Sequence, residues 1–352
     1  MASTGEQTGD HDPHVREKLP AVVDPIAPRD SLIHRPTVES VAAKVQRIVV
    51  ILNPFSGNGR GNRAWSKVQP VFEAANIHIT LRTTESQKHA VTIARELGAD
   101  AGDALVVIGG DGTLSEVLAG MMTAPHKIDI PVGLIPGGTG NSVACSLGIK
   151  DPEVAARAIV GGRHCPIDIG KIICTSNGTK REHFMINLCG FGLGVDANVT
   201  AANLRLFGKM RYDVGAFWQI LKGRRRNMTI SIDGDNVEGD ILIVMIQNNK
   251  HGGVGLRLAP AAIMDDGLLD IVVLPNIGRA GTLSLFSRLK DNGKHVSDKA
   301  VVYRRFRKVT LKPDQPQRYN LDGENFDEYT EMEIEVVPRA INMFVATEPH
   351  LC

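Results

Sequence analysis

Apolar residues follow two rhythms along this chain, and the rhythm changes near Gly162. Before that point, short β-branched runs alternate with stretches at helical spacing. Arg47 to Leu52 and Ala104 to Ile108 read as buried strands. Ile77, Ile79 and Leu81 alternate as another strand, and Ile130 to Ile135 forms a fourth. Between them, Trp65, Val68, Phe72 and Ala75 mark one helix face, and Ala90, Ile93, Ala94 and Leu97 a second. Leu114, Val117, Leu118, Met121 and Met122 mark a third. Strands alternating with helices predict a doubly wound, mostly parallel sheet covered on both faces. Asp151-Pro152 reads as N-cap and N1 of a helix reaching about Val160.

Beyond Gly162, strands are predicted at Ile167–Ile173, Phe184–Leu188, Met228–Ile232, Asp240–Gln247, Leu269–Leu274, Val309–Leu311 and Met332–Val337. Turn signals such as Asp233-Gly234-Asp235, Asp266-Gly267 and Asp322-Gly323 separate them. That pattern predicts an antiparallel β-sandwich, interrupted by helices at about Ala197–Leu221 and Thr282–Lys290. Residues 1–44, rich in Pro, Ser, Thr, Asp and Glu, read as a flexible tail. The expected division is therefore tail, α/β domain over 45–163, and β-sandwich domain over 164–347.

The bulk numbers narrow the function. With 352 residues the chain can bury two sizeable cores, and a formal net charge of +1 argues against a dedicated nucleic-acid binder. Its 5 cysteines, Cys145, Cys165, Cys174, Cys189 and Cys352, lack CxxC pairing and read as reduced thiols of a cytosolic protein. No run approaches the ~20 apolar residues of a membrane span, so any membrane contact is expected to be peripheral. A homodimer is compatible with these features.

Candidate chemistry gathers at three glycine turns, each following a predicted strand. They are Asn53-Pro54-Phe55-Ser56-Gly57-Asn58-Gly59-Arg60-Gly61, Gly109-Gly110-Asp111-Gly112-Thr113, and Pro136-Gly137-Gly138-Thr139-Gly140-Asn141-Ser142. Ligands of a parallel sheet sit at the carboxyl ends of its strands, where all three turns fall. Bare glycine backbone and helix N-termini favour an anion, most simply phosphate. Asp111 is the odd residue there, because a carboxylate repels phosphate. It makes sense as a proton acceptor for an attacking hydroxyl or as a holder of Mg²⁺. The plainer alternative is a capping aspartate in an ordinary strand-to-helix turn.

Taken together, these segments resemble the diacylglycerol kinase catalytic-domain superfamily, and within it the sphingosine and ceramide kinases, over roughly Ile48 to Val345. The first turn is similar to the first nucleotide loop of that family. Thr84-Glu85-Ser86-Gln87-Lys88-His89-Ala90 resembles the Thr-Glu-x-x-x-His-Ala loop of sphingosine kinases. Gly109 to Thr113 matches the GGDG core, Gly138 to Asn141 the phosphate loop, and Asp322-Gly323-Glu324 a C-terminal Asp-Gly-Glu. The resemblance implies a lipid kinase using ATP and Mg²⁺, with Asp111 as general base and Glu324 orienting the metal or the base. It places nucleotide on Asn53, Pro54, Phe55, Thr84, Glu85, Ser86, Gln87, Lys88, Gly109, Gly110, Gly112, Thr113, Gly138, Thr139, Gly140, Asp322 and Gly323.

The same resemblance places the lipid at Glu116, Asp196, Asn198, Arg205 and Arg211. Glu116 also reads as a solvated helix residue. Sphingosine kinases carry an aspartate where this chain has Asn198, a departure at the position that meets an amine. A sphingoid base is the favoured acceptor, with diacylglycerol or ceramide as the alternative. A soluble-substrate kinase of the NAD kinase type and a non-catalytic lipid-binding module are the weaker readings. A structural Mg²⁺ is expected at Asp266 with the carbonyls of Ile263 and Leu268, against an ordinary Asp-Gly hairpin turn. Lys222-Gly223-Arg224-Arg225-Arg226 beside Phe217 and Trp218 reads as a solvated loop or a dock for anionic lipid. The expected setting is cytoplasmic, with peripheral membrane association.

Overall fold

The computed structural model describes residues 44–98, 101–203, 218–220, 222, 226–252 and 256–346, without the side chains of 198, 199 and 201–203. Four strands start the fold: β1 (Arg47–Leu52), β2 (His78–Thr83), β3 (Ala104–Gly109) and β4 (Val132–Pro136). They pair in parallel in the order β2-β1-β3-β4. Every residue of β3 is buried, as its unbroken apolar run requires, whereas β2 is an exposed edge. Helices α1 (Arg60–Ala74), α2 (His89–Arg95), α3 (Asp111–Met122), α4 (Ser142–Ser146) and α5 (Pro152–Val160) connect and cover them. Asp151 caps α5 as expected, its Oδ1 accepting the N–H groups of Glu153 and Val154 at 2.9 Å each.

The second rhythm produces β5 (His164–Ser176), β6 (Thr179–Met185), β7 (Leu188–Gly192), β8 (Asn227–Ile232) and β9 (Asp235–Gln247). A two-residue ladder, β10 (His251–Gly252) with β11 (Leu256–Arg257), precedes β12 (Leu269–Pro275), β13 (Val302–Phe306) and β14 (Lys308–Pro313). The described chain closes with β15 (Gln317–Leu321), β16 (Glu324–Tyr329) and β17 (Glu331–Phe344). One layer runs β8-β14-β17-β5-β6 and the other β16-β15-β7-β9-β12-β13, all antiparallel. Long β9 turns the corner, pairing β8 with its first half and β7 with its second. Ile230, Leu311 and Ile334 from one layer pack with Phe191, Ile246 and Ile271 from the other. The expected sandwich is present.

Two strands serve both cores, on either side of the division expected at residue 163. β5 and β17 pair from end to end except at an irregularity between Val337 and Ile341, and Met343 of β17 pairs in parallel with Val132 of β4. Ile341, Met343 and Phe344 join Ile167 in the first core, while Ile334 and Val336 join Ile172 in the second. Outside the sandwich, α6 (Leu193–Asn203) and α7 (Gly278–Lys290) lie over the β7-β9-β12-β13 layer. Leu193, Ile220, Leu242, Val272, Leu274, Leu285 and Val301 form a third cluster there.

Several boundaries differ from the sequence pattern. Phe184–Leu188 is not one strand: β6 ends at Met185 and β7 begins at Leu188, because Ile186 and Asn187 turn to bond Asp322. The helix read over Ala197–Leu221 begins earlier, at Leu193, and 204–217 lie outside the described residues. β13, β15 and β16 went unread, since Arg304, Arg305, Arg318 and Glu328 break their apolar alternation.

Candidate active site

The three glycine turns meet at the carboxyl edge of the parallel sheet. The Asn53 N–H donates to the Ile108 carbonyl at 2.9 Å, and the Gly137 N–H to the Gly109 carbonyl at 2.7 Å. Asn53 Nδ2 donates to Thr113 Oγ1 at 3.0 Å, tying the first turn to the second. The second and third turns touch through bare backbone: a Cβ on Gly138 would lie 2.4 Å from Gly110 Cα. Gly112 is different, because nothing stands within 4 Å of where its Cβ would be. It faces open space at the mouth of the cleft.

Each acid near these turns holds a particular piece of backbone. Asp111, the first residue of α3, accepts the Ser142 N–H on Oδ2 at 2.9 Å and the Val143 N–H on Oδ1 at 3.1 Å. It anchors the start of α4, so the phosphate loop is fastened to the Gly-Gly-Asp-Gly turn. Glu116, on the next turn of α3, accepts the Lys88 and Ala90 N–H groups at the start of α2. Burial pushes its carboxyl above the usual range, and those two bonds hold the rise back. Asp322 is buried and accepts three backbone N–H groups, from Ile186 at 3.0 Å and from Asn187 and Leu188 at 2.9 Å each. The Ser115 hydroxyl of α3 also donates to it, and burial pushes its carboxyl up to about 6. Glu324 sits half-exposed, with Lys88 Nζ 3.4 Å from its Oε1.

These groups enclose a cleft of about 830 Å³ between the two domains, a size typical of small-molecule sites. Asn53, Gln87, Lys88, Gly110, Asp111, Gly112, Thr113, Glu116, Gly138, Thr139, Gly140, Asp322, Gly323 and Glu324 line it. Pro54, Phe55, Thr84, Glu85, Ser86 and Gly109 do not; Thr84 is buried and Phe55 is 72% exposed. The opposite wall comes from Glu182, His183 and Phe184 of β6 and from Phe326 of β16. His183 packs edge-on to Phe326 with centroids 5.0 Å apart, and burial lowers its pKa, keeping the imidazole neutral. Nothing in the polar alternation of β6 marks this histidine. Arg60 was also missed: its Nε donates to the Gly57 carbonyl at 3.0 Å and its Nη2 to Thr139 Oγ1 at 3.1 Å. Its signal was available, a lone cation inside a glycine turn.

The lipid-side expectations divide differently. Asp196 on α6 is paired with the buried guanidinium of Arg226, whose Nε also reaches Gln317 Oε1 at 3.1 Å. Arg226 is therefore no part of a solvent-facing basic cluster, which corrects that reading of 222–226. A residue just before β8 points into the fold rather than out of it, and its backbone N–H is fixed by Asp240 Oδ1 at 2.8 Å. Arg205, Arg211, Arg224, Arg225 and the Asn198 side chain lie outside the described residues.

At the expected structural metal turn, Asp266 Oδ1 accepts the Leu268 N–H at 3.1 Å, and Arg305 Nη1 is 3.8 Å from Oδ2. Ile263 is buried. Among the described residues, no group of three or more His, Cys, Asp or Glu side chains is arranged to hold a metal. Nor is any described helix long and apolar enough to cross a membrane.

Residues 47–172 match the diacylglycerol kinase catalytic domain, and 189–345 the YegS C-terminal NAD kinase beta sandwich-like domain. Sphingosine kinase 1 of Arabidopsis thaliana is 26% identical over 335 residues, covering 79% of this chain and 68% of that protein. A diacylglycerol kinase of Mycobacterium tuberculosis is 30% identical over 260 residues, covering 72% of this chain and 81% of that protein. The crystal structure of a diacylglycerol kinase from Bacillus anthracis superposes with a TM-score of 0.69 at 25% identity, covering 86% of this chain and 98% of the other. By these two domain matches and this likeness, the chain belongs to the diacylglycerol kinase catalytic-domain superfamily and is an ATP-using lipid kinase.

Proposed function

We propose that the chain transfers the γ-phosphate of ATP to the hydroxyl of a lipid whose head group carries no positive charge, of the diacylglycerol type. One observation carries the choice of acceptor: Asp196, the acid two residues before Asn198 that could stand in for it toward an amine, is neutralised by the buried Arg226 guanidinium. A sphingoid base would need a carboxylate available for its ammonium, and Asn198 supplies only a neutral amide. The sphingoid reading is the second one, supported by the likeness to the Arabidopsis sphingosine kinase.

In this reading the glycine turns cradle the phosphates, and Arg60 adds a cation between the first and third turns. Asp111 acts as general base. Two of its roughly four lone-pair directions are taken by N–H donors, which fix the carboxylate and leave it able to accept a proton. Mg²⁺ would neutralise charge on the phosphate oxygens. The donor set fits it, because Mg²⁺ is usually held by one or two carboxylates together with substrate phosphates, and Asp111 and Glu324 both line the cleft. At the Asp266 turn, a second Mg²⁺ would have one carboxylate and two carbonyls, and Arg305 would have to give way. The acceptor reaches the enzyme from a bilayer, and exposed Trp218 with Lys222 Nζ 6.0 Å from its ring is our candidate peripheral contact.

The test is ATP-dependent phosphorylation of a panel of diacylglycerol, ceramide and sphingosine. We expect kcat/KM on diacylglycerol to exceed that on sphingosine by about tenfold or more, the worth of one missing charge-assisted hydrogen bond. Asn198→Asp should move the ratio toward sphingosine by a similar factor. A wild type that prefers sphingosine would overturn the choice of acceptor.

A further inference from the structure

β9 ends at Gln247, and two more amides, Asn248 and Asn249, follow it; all three are at most 1% exposed. Two of them tie the fold together. Asn248 Nδ2 donates to the carbonyls of Asp168 at 2.8 Å and Ile186 at 3.0 Å, leaving only its Oδ1 without a partner. Asn249 Nδ2 donates to Asn187 Oδ1 at 2.8 Å, and its Oδ1 accepts the His251 N–H at 2.8 Å. Gln247 ties nothing: its Oε1 and Nε2 are both buried, and among the described residues neither has a hydrogen-bond partner. A buried amide in that state bears its whole desolvation penalty with no return from the fold. Leucine or methionine would fill the place at lower cost, so folding does not account for a glutamine here.

Its position does. Alternation along β9 puts Gln247 on the face of Ile243 and Met245, and its cross-strand neighbour Asp270 on the face of Val272 and Leu274. Those apolar residues belong to the outer layer under α6 and α7. On the other side Gln247 pairs with Leu188, whose N–H donates to the cleft residue Asp322. Gln247 does not itself line the cleft, but it stands on this apolar face about two strand spacings or ~10 Å from the Asp322 turn. An acyl chain along the layer would bring a polar head to this amide.

We propose that Gln247 recognises the head of the acceptor lipid, its Nε2–H group donating to an ester carbonyl. An amide is neutral, so it suits a head without charge; the inference rests on the diacylglycerol-type reading above. Gln247 is fully covered, so the acceptor would reach the amide only by displacing the side chains over it.

Gln247→Leu and Gln247→Met keep the volume and remove the polar atoms. We expect an unchanged or higher Tm, an unchanged KM for ATP, and a loss of about tenfold or more in kcat/KM for the lipid. A kcat/KM within twofold of wild type would overturn the proposal. So would a fall in Tm, which would mark an ordinary structural amide. A second comparison uses diacylglycerol and its ether-linked analogue, which lacks the ester carbonyls. Wild type should favour the ester lipid, and Gln247→Leu should take both alike. An ester preference that survives the substitution would also overturn the assignment. If wild type instead prefers sphingosine, the choice of acceptor falls, together with the ester contact. Recognition by Gln247 is then decided by Gln247→Leu on sphingosine: tenfold loss at unchanged Tm supports it, and no loss ends it.

Discussion

On the nucleotide side, Asp111, Glu116 and Asp322 each commit a carboxylate to backbone N–H groups at the edge of a loop or helix. On the lipid side, Asp196 is committed to one guanidinium, and the Gln247 amide is committed to nothing. On the proposed function, the difference follows from what each wall would bind. A polyphosphate is recognised by fixed dipoles and charge, so its loops gain from being held in place before it arrives. A lipid is recognised mainly by apolar burial, and its few polar atoms need partners that the empty protein does not use up. The nucleotide wall is complete without its ligand. The lipid wall is completed by it.

The largest effect should come from Asp111→Asn. The amide would turn an N–H toward Ser142 or Val143 and lose one anchoring bond, besides losing the base. Turnover should fall at least ~100-fold, and KM for ATP should rise as well. A loss in kcat with KM for ATP untouched would separate the base from the anchor.

Next come two glycines of the same wall. Gly138→Ala forces a Cβ to 2.4 Å from Gly110 Cα, and overpacking of this kind costs roughly 1–3 kcal/mol. Gly112→Ala meets nothing within 4 Å. Both should weaken ATP binding, measured by titration, but only Gly138→Ala should lower Tm. Equal losses of Tm would mean that Gly112 is structural and does not face the nucleotide.

The pH response of Asp322 is of similar size. Its carboxyl is pushed up to about 6 in the folded protein, against about 4 in an unfolded chain. Between those values the folded state keeps a proton that the unfolded state has released. The resulting stability is present in full below about pH 4 and is lost as pH rises through 6. Two units correspond to roughly 3 kcal/mol. The Tm advantage of wild type over Asp322→Asn should therefore shrink between pH 5 and pH 8. A gap that widens would show that the three N–H bonds outweigh burial.

The smallest effect belongs to the membrane contact. Lys222→Glu should weaken binding to anionic vesicles about fivefold or more, at ~1 kcal/mol per charge removed, and added salt should have the same effect. Rates on detergent-dispersed lipid should hold. Co-sedimentation indifferent to both would leave Trp218 and Lys222 as plain surface.

Much of the nucleotide side was legible in sequence, because a glycine turn after an apolar strand writes its geometry into consecutive residues. β1 and α5 fell where the pattern put them. What the carboxylates hold was not legible. Asp111 and Ser142 are brought together only by two adjacent turns of a folded sheet, and Asp322 meets Ile186 only because β15 pairs with β7. Arg226 misled for a related reason: in sequence it continues a basic run, and only β8 turns it inward against Asp196. Gln247 ended a predicted strand unnoticed, since an amide at a strand end becomes unusual only once its neighbours are seen to be bonded and it is not.

The pairing of Met343 with Val132 has a consequence for how the molecule is made. The first sheet takes its last strand from the far end of the described chain, so β1 to β4 emerge from the ribosome long before their fifth neighbour. Such distant pairing slows folding, since the loop must close before the contact is rewarded. Until β17 arrives, β4 presents an open edge able to template a strand from another chain. The nascent nucleotide half should therefore depend on chaperone cover until the sandwich has been synthesised.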